Sequence, residues 1–590
     1  MKNTESNASM VAKRMFRLLP IQILLAAVGA VNGIVSSLFA SNFVGEKAMS
    51  AVALYAPVNQ FVGAVSLLLV GGSQILCGEY MGKNQLRRTG SVFSLDILIS
   101  AVFAGAVTAA LLAGAALDLI GASAPDGEVR ALFNRYTAGQ AIGVVPLVLG
   151  QQLAAFLSLE NRTRCTMAAS LVFIAVNVAL NGLFVAVMGL GAFGLALASS
   201  LGLWVFLLVQ AGHYFSGESL LRFRLRDCRW RDTKDIVRIG APGSLSQGYQ
   251  TVRRLIVNAL ITRYVGGAGL SAFGASDALL GLVWAVPMGM LAVSRMMMSV
   301  SIGEEDRQTL TDVMRTAMGR FVPVMCAVAG AVIACAVPLT RLYYRDTASA
   351  VYEMTVWGFR ILPLCMPLSV ICMHFVCYGQ ASNKQALVHT LSVLDGVACV
   401  ALFSALLVPG MGIRGVYIAN VLNGVVCALA IGAYSWLCRR RFPRTMDELM
   451  VIPADFGVPE DRRLDLTVRT TDEVVRVSER VQGFCARQGL DERRALLAGL
   501  FLEEMAGNVV SHGFSKDRKS HCVDVRAACK GEDVILRLRD DCVPFDPAER
   551  EKLADPEDIT HNIGIRMVFR IAKNIQYQNI LGLNVLTIRV

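Results

Sequence analysis

The sequence predicts a polytopic all-α membrane protein with twelve transmembrane helices in two six-helix repeats, followed by a C-terminal α/β domain. Three observations support this prediction: a mean hydropathy of +0.52 over 590 residues, a change in charge near residue 444, and an internal repeat. Residues 1–444 carry 35 Lys/Arg and 20 Asp/Glu, whereas residues 445–590 carry 21 Lys/Arg and 25 Asp/Glu. The sparsely charged first part is suited to a lipid bilayer, and the densely charged second part is suited to water.

Twelve apolar segments are each long enough to cross a bilayer, for which about 20 residues are needed. They lie at 17–41, 52–77, 91–117, 134–157, 166–187, 192–213, 238–262, 272–298, 318–339, 355–378, 386–408 and 413–437. The predicted domains are an N-terminus at 1–16, a first lobe at 17–214, a basic linker at 215–237, a second lobe at 238–440, a linker at 441–459 and a tail at 460–590.

The basic residues between the spans predict the orientation of the helices. Lys83, Arg87 and Arg88 follow the second span, and seven basic residues lie between Arg222 and Arg238. Short loops rich in Lys and Arg stay on the cytoplasmic side of a membrane. We therefore expect both termini, the basic linker and the tail in the cytoplasm.

A repeat with a constant offset of 221 residues divides the membrane part into two halves. Val44-Gly45 recurs as Val265-Gly266, and Gly82 recurs as Gly303. Three further glycines recur in the same way, namely Gly189, Gly191 and Gly194 as Gly410, Gly412 and Gly415. Each half carries six spans, which predicts two lobes related by a pseudo-twofold axis along the membrane normal. Transporters commonly bind their substrates between such lobes, near the midplane.

Several short motifs in the first lobe point to a family. Leu19-Pro20 opens the first span, Val44-Gly45 follows it, and Gly82 ends the second. The lobe closes with Asn177-Val-Ala-Leu-Asn181 and then the glycine-rich stretch at 189–198. In their order and spacing these motifs resemble the multidrug and toxic compound extrusion (MATE) family over about residues 12–440. The resemblance implies two lobes of six helices that export organic, often cationic, compounds in exchange for Na⁺ or H⁺.

The coupling ion is left open by two departures from the family pattern. Ser36 and Asn181 stand where the family often carries aspartate. The resemblance therefore implies a coupling ion, Na⁺ or H⁺, without placing its site.

Ionisable side chains inside spans are costly, so they are candidates for a substrate or ion site. Arg253 and Arg254 lie about 11 residues beyond Pro242, or roughly 17 Å deep at 1.5 Å per residue. The full set of transport candidates is Arg253, Arg254, Asp277, Asp395, Tyr249, Gln250, Asn32 and Ser36. A structural Arg–Asp pair within the second lobe is the alternative interpretation. His374 and His389 lie in apolar helices and are interpreted as satisfied core residues rather than proton carriers.

From about residue 443 the pattern becomes that of a soluble α/β domain. Alternating apolar and polar residues predict five strands, and amphipathic stretches predict three helices. The strands are expected at 464–470, 521–529, 533–540, 575–579 and 584–589, and the helices at 471–488, 491–512 and 563–573.

Three motifs on these elements carry the chemistry of the tail. Glu504, Asn508 and His512 are four residues apart, so they share one face of a helix. Asparagine and glutamate there suit Mg²⁺–phosphate coordination and activation of an attacking group. Asp540 ends a strand, where a carboxylate is suited to accept the amino hydrogen of adenine. Gly564 lies at a helix start, whose backbone N–H groups favour phosphate.

Together with Pro544-Phe545-Asp546-Pro547, these motifs resemble the Bergerat-fold (GHKL) ATPases over about residues 460–590, in particular the anti-sigma-factor serine kinases. The resemblance implies ATP and Mg²⁺ as cofactors and a protein like an anti-sigma antagonist as a partner. It also implies Glu504 as the catalytic base and Asn508 as the Mg²⁺ ligand. The residues implied in nucleotide binding are Asn508, His512, Asp540, Phe545 and Gly564.

The sequence therefore predicts a secondary transporter of small organic compounds in a bacterial cytoplasmic membrane, with an ATP-binding regulatory or signalling tail. The sequence contains no Gly-x4-Gly-Lys-Ser/Thr loop, which argues against an ATP-driven ABC pump. Nucleic acid is not an expected partner, because the basic residues of the membrane part lie in short loops between apolar spans. Two alternatives stay open: a membrane-anchored serine/threonine kinase that uses the transporter half as a sensor, and a lipid-linked saccharide flippase.

Overall fold

The membrane part of the chain consists of helices α1 to α17. The computed structural model describes residues 2–39, 46–83, 85–118, 127–160, 162–216, 219, 221–344, 346–514, 521–530, 533–547, 563–580 and 582–590. For 2–9, 28–38, 46–53, 56, 460, 530, 563 and 580 it describes the backbone alone. The helices are α1 Lys2–Phe39, α2 Glu46–Gly82, α3 Leu86–Ala116, α4 Gly127–Leu159, α5 Thr163–Asn181, α6 Gly191–Phe215, α7 Asp232–Tyr264, α8 Gly267–Val283, α9 Ala285–Gly303, α10 Arg307–Thr316, α11 Val322–Ala334, α12 Ala336–Arg341, α13 Ala350–Ile361, α14 Cys365–Ala381, α15 Gln385–Val393, α16 Cys399–Met411 and α17 Ile413–Arg439.

Ten helical segments of the described chain are long and apolar enough to cross a membrane. Several combine two consecutive helices into one span, such as α8 with α9 at Gly267–Gly303. The two other predicted spans fall on α1 and α7, which carry charged residues. The membrane part is therefore helical and polytopic as predicted, while the number of twelve spans and their grouping into two repeats stay predictions.

Helices α2 and α9 touch at the end of the membrane part that faces the tail. A β-carbon at Gly82 would lie 2.3 Å from the carbonyl oxygen of Val300, and one at Gly303 would lie 2.1 Å from that of Glu79. Only glycine allows two backbones to approach so closely. Gly82 and Gly303 are equivalent positions of the 221-residue repeat, so the two halves meet at matching points. The two helices are therefore in backbone contact on the tail side of the membrane part.

The tail is a five-stranded antiparallel sheet with helices on one face. Its elements are α18 Met446–Leu449, β1 Arg463–Val468, α19 Thr471–Arg487, α20 Glu492–Asn508, β2 Val523–Lys530, β3 Asp533–Asp540, α21 Ile563–Ile571, β4 Asn574–Ile580 and β5 Leu583–Arg589. The strand order is β1-β2-β3-β5-β4. All five predicted strands and all three predicted helices are present, close to their predicted bounds. The connection between β2 and β3 at 531–532 lies outside the described residues.

Alternation along the strands gives the sheet two different faces. Apolar residues such as Val525 and Leu536 point to the helices and pack with Phe501 and other core residues. On the opposite face, Arg526 of β2 pairs with Arg537 of β3 in the strand register. Successive residues of a strand point to opposite faces, so this polar face follows directly from the sequence pattern.

The linker before the tail packs against α10. The Asp447 carboxylate accepts a hydrogen bond from Arg307 Nε and another from Thr311 Oγ1, both at 2.8 Å. Arg307 also donates to the carbonyl oxygen of Pro453 at 2.7 Å. These contacts hold the tail beneath the ends of α9 and α10.

Candidate functional sites

Helix α20 brings Glu504, Asn508 and His512 to one face, as their spacing predicts. Asn508 and His512 line a cavity of about 400 Å³. Glu504 lies beside that cavity and against Gly564, because a β-carbon at Gly564 would be 1.8 Å from Glu504 Oε2. A larger residue at 564 would displace the Glu504 carboxylate, and two motifs far apart in the sequence thus meet in space.

Asp540 lies at the end of β3, on the inner face of the sheet, and forms a wall of the same cavity. Its Oδ1 accepts hydrogen bonds from Asn584 Nδ2 at 2.8 Å and from the Cys542 backbone N–H at 3.0 Å. The Cys542 side chain also forms a hydrogen bond with this carboxylate. Burial raises the pKa of the Asp540 carboxyl above its ordinary value, although the hydrogen bond from Asn584 opposes this shift. Asn584 and Cys542 thus hold the carboxylate in place at the cavity wall.

The sequence analysis did not identify two residues of this cavity wall, Asn584 and Tyr577. Asn584 on β5 receives hydrogen bonds at Oδ1 from Tyr577 Oη and Asn579 Nδ2, both at 2.8 Å. The Tyr577 hydroxyl in turn accepts from the Phe545 backbone N–H at 3.1 Å. Burial raises the pKa of Tyr577 to about 12, so the hydroxyl keeps its proton at neutral pH. An asparagine at an inward-facing position of an apolar strand was the signal that could have revealed this wall.

The lining of the cavity fits a nucleotide with a magnesium ion. The carboxylate of Asp540 is one polar point, and the amide of Asn508 is another. Met505, Ile565 and Leu586 give the cavity apolar walls. Small-molecule sites typically combine such apolar walls with a few placed polar groups, and Mg²⁺ is bound by oxygen ligands. Phe545 also lines the cavity, so four predicted residues are brought together there.

Each predicted membrane arginine lies beside a predicted acidic residue. Arg254 and Asp277 form an ion pair at 3.8 Å in which both side chains are more than half exposed. Arg253 Nη1 donates to the backbone carbonyl oxygen of Asp395 at 3.2 Å. The Asp395 carboxylate accepts from Asn423 Nδ2 at 2.8 Å. These contacts join helices of the second lobe and agree with the structural alternative, while a substrate role stays a prediction.

The other polar candidates on α7 are half-buried. A β-carbon added at Gly396 would lie 2.6 Å from the β-carbon of Tyr249. Helix α7 therefore packs closely against the helical turn at 394–398, between α15 and α16. Gln250 is half-buried on the same helix. The side chains of Asn32 and Ser36 lie outside the described residues.

The two membrane histidines differ in their surroundings. His374 is fully buried, with Nδ1 2.6 Å from the Val370 carbonyl oxygen and Nε2 2.9 Å from Ser294 Oγ. His389 is exposed, so its interpretation as a buried core residue is wrong. The buried face of α15 carries Leu387, Val388 and Leu391, and His389 lies on the opposite side of the helix.

Comparison with family models gives two matches. Residues 24–183 match the MatE family, and residues 467–590 match the histidine kinase-like ATPase domain. The chain is a MatE family transporter with a C-terminal histidine kinase-like ATPase domain. No curated protein gives a significant match.

Solved MATE structures share the fold of the membrane part of the transporter. MATE in complex with MaL6 is 21% identical, with a TM-score of 0.69 over 77% of this chain and 100% of that one. An outward-facing multidrug resistance MATE family transporter of the MOP superfamily is also 21% identical, with a TM-score of 0.68 over 77% and 99%. A MOP superfamily transporter from Pyrococcus furiosus with a binding pocket of reverse polarity is 20% identical, with a TM-score of 0.67 over 76% and 99%.

In this MatE transporter, the polar face of the ATPase sheet binds the loop between α9 and α10. Arg537 pairs with Glu304 at 2.7 Å and with Asp306 at 2.5 Å. Arg539 pairs with Glu304 at 2.5 Å, and Arg526 pairs with Asp306 at 2.7 Å. The two acidic side chains are 7% and 0% exposed. We call these five residues the docking cluster.

Asp306 is the centre of the docking cluster. Burial alone would raise the pKa of its carboxyl, but Arg526, Arg537 and Arg539 hold it well below its ordinary value. The carboxylate also accepts from the Thr309 backbone N–H at 3.0 Å, which caps α10. Because the pKa is lowered on docking, the carboxylate favours docking above its ordinary pKa, and this contribution is lost as the pH falls through the lowered value.

The ATPase domain also contacts the first helix. Strand β1 packs against α1, and the charge of Asp541, just after β3, acts on Arg14 of α1. The domain therefore touches α1 of the predicted first lobe and α10 of the predicted second lobe, on the side where Gly82 and Gly303 hold the halves together.

Proposed function

We propose that the protein exports small organic compounds by alternating access, driven by a Na⁺ or H⁺ gradient, across a bacterial cytoplasmic membrane with both termini inside. The observation that carries this proposal is the MatE fold combined with the contact between equivalent positions of the repeat on the tail side. A membrane part closed on one side is one end state of such a cycle.

The energy source is tested by transport measurements on the purified protein in vesicles. We expect efflux of a fluorescent organic cation such as ethidium to follow an imposed ion gradient and to proceed without ATP, because the chain contains no phosphate-binding loop of the pump type. Vesicles without protein, and protein without a gradient, are the controls. Strict dependence on ATP with no effect of a gradient contradicts the proposal.

We further propose that the ATPase domain binds Mg·ATP. ATP supplies an adenine amino group and phosphates, and Mg²⁺ supplies charge neutralisation at the phosphates. Asp540 Oδ2 accepts from the amino group, Asn584 and Tyr577 hold the Asp540 carboxylate in place, and Asn508 offers its amide oxygen to the metal ion. The support is a buried carboxylate at the cavity wall that Asn584 and the Cys542 backbone N–H hold through Oδ1.

The position of Glu504 favours nucleotide binding over phosphotransfer in this conformation. A general base must reach the proton that it abstracts. Glu504 lies against Gly564, whereas Asn508, one turn further along α20, faces the cavity. We therefore propose a regulatory domain, in which Glu504 becomes a base only after the start of α21 has moved.

The regulatory role is exerted by docking. With the ATPase domain bound to α10 through the docking cluster and packed against α1, the halves are held together on the cytoplasmic side. When the membrane part opens to the cytoplasm, its two halves separate, and the ATPase domain loses its contacts with either α1 or α10. Arg539 and Asp540 are neighbours on β3, with Arg539 on the docking face and Asp540 on the nucleotide face. Strand β3 thus connects the nucleotide cavity with the docking cluster, which holds the two halves together on the cytoplasmic side.

A further inference from the structure

A buried carboxylate in the first lobe has no described role. Asp96 on α3 is 0% exposed and lies inside a membrane span. Ser73 Oγ on α2 donates to Asp96 Oδ1 at 2.6 Å. Asp96 Oδ2 is also buried and has no hydrogen-bond partner among the described residues. One oxygen of this carboxyl group is therefore held, and the other is unsatisfied.

No basic side chain of the described residues pairs with Asp96. The ionisable groups near it include Cys77 on α2, Tyr214 on α6, Glu160 after α4, and Arg222 and Arg224 in the linker before α7. Asp232 at the start of α7 acts on Cys77 as Asp96 does, and Arg88 at the start of α3 faces Asp232. Glu160 is occupied by its own partners, among them a histidine at 3.0 Å. The linker contacts α3 at Ser94, whose hydroxyl donates to the Arg222 carbonyl oxygen and accepts from the Arg224 backbone N–H. Asp96 is thus a carboxyl group without a countercharge.

An isolated carboxylate in such an interior is strongly disfavoured, so the group is neutralised by a bound cation. Metal cations in oxygen sites take more ligands than the Asp96 carboxyl and the Ser73 hydroxyl supply. A proton needs only the unsatisfied oxygen. The geometry therefore favours a proton at Oδ2 over Na⁺.

The repeat gives an independent comparison. Ser73 and Ser294 are 221 residues apart, which is the offset of the repeat, and each bonds one fully buried titratable side chain. In the second lobe this is His374, whose two ring nitrogens both have partners. In the first lobe it is Asp96, whose Oδ2 has none. The two halves share the serine, and of the two side chains bonded to it only Asp96 keeps a buried atom without a partner among the described residues.

We propose that Asp96, held by Ser73, is the proton-binding site that couples transport to a proton gradient. This inference rests on the proposed secondary transport and names its coupling ion. Proton release requires Asp96 to reach water during the cycle, in a conformation other than the one that is closed on the tail side.

The first test needs no substrate. Infrared difference spectra of the full-length protein in lipid, recorded across a pH titration, should show the carbonyl stretch of a protonated carboxylic acid that disappears at high pH. The band should be absent in Asp96→Asn and unchanged in Asp277→Asn. In Ser73→Ala it should move to higher frequency, because the carbonyl loses a hydrogen bond. The proposal is overturned if the band survives at every pH or if the spectra of Asp96→Asn are identical to those of the wild type. It is also overturned if the band is lost on adding Na⁺ at constant pH, because Asp96 then binds sodium as the coupling ion.

The second test uses ethidium in vesicles. Asp96→Asn should lose acceleration of efflux by a pH gradient but keep exchange of ethidium between the two sides without a gradient. A variant that still responds to the pH gradient overturns the role of Asp96. If the wild-type protein moves no ethidium under any condition, the proposed export of such compounds fails, and the infrared titration decides on Asp96 by itself.

Discussion

Replacing Asp540 with asparagine is expected to lower the affinity of the protein for ATP by about 10- to 150-fold. Losing a hydrogen bond to a buried charged group costs roughly 1.5–3 kcal/mol, and 1.4 kcal/mol corresponds to a factor of ten. Asparagine keeps the size of the side chain but replaces one acceptor oxygen with an NH₂ donor, which cannot accept the adenine amino hydrogen. Calorimetry of the full-length protein in lipid nanodiscs with ATP and GTP measures the effect, and the preference for ATP should weaken together with the affinity.

Acid should act in the same direction as this substitution. The pKa of Asp540 is raised by burial, so its carboxylate is protonated at a higher pH than an exposed aspartate. Protonation occupies the acceptor oxygen, and ATP affinity should therefore fall as the pH decreases through this raised pKa. Asp540→Asn should remove that pH dependence. An affinity that is independent of pH in both proteins contradicts the assignment of Asp540.

Two substitutions on α20 separate the roles of the cavity residues. Asn508→Ala should remove the Mg²⁺ dependence of ATP binding, because it deletes the amide oxygen offered to the ion. Glu504→Ala should leave ATP binding intact, since Glu504 lies against Gly564 rather than at the cavity wall. Equal losses of affinity in both variants would mean that α20 acts through the stability of the domain. If the wild-type protein produces no heat with millimolar ATP, the nucleotide proposal fails.

Local patterns in the sequence were sufficient for most of the fold. Alternation in β2 and β3 and the four-residue spacing on α20 are short-range signals, so the strands and the shared face of Asn508 and His512 were predictable. The membrane helices follow from hydropathy in the same way. The exposed position of His389 was not predictable, because a short apolar helix does not reveal which side meets its neighbours.

Contacts between distant segments were not predictable. The wall formed by Asn584 and Tyr577 depends on the pairing of β4 with β5 and of β5 with β3, which a single sequence does not specify. The docking cluster joins residues more than 200 positions apart. Glu304 and Asp306 appear in the sequence as ordinary charged residues of a short loop, and the arginines of β2 and β3 as a solvated face. Only the relative position of the two domains makes them partners.

Glu304→Gln is expected to release the ATPase domain from the membrane part. Glu304 is 7% exposed and pairs with both Arg537 and Arg539. Removing one partner from a buried ion pair costs about 3–5 kcal/mol, which shifts the docking equilibrium by about 100- to 4,000-fold. Proteolysis within the linker 441–459 should become faster, and efflux of ethidium should accelerate if docking holds the cytoplasmic side closed.

The neighbouring residue provides the matched control. Glu305 carries the same charge one position along the chain, but its side chain is exposed, and exposed charges contribute at most about 1 kcal/mol. Glu305→Gln should therefore leave linker proteolysis and efflux unchanged. Glu304 lies outside the ATPase domain, so calorimetry of Glu304→Gln should still detect ATP binding, which separates undocking from unfolding. If Glu304→Gln and Glu305→Gln behave alike, the docking cluster does not hold the domain in place. If proteolysis accelerates while efflux does not, the domain docks without controlling transport.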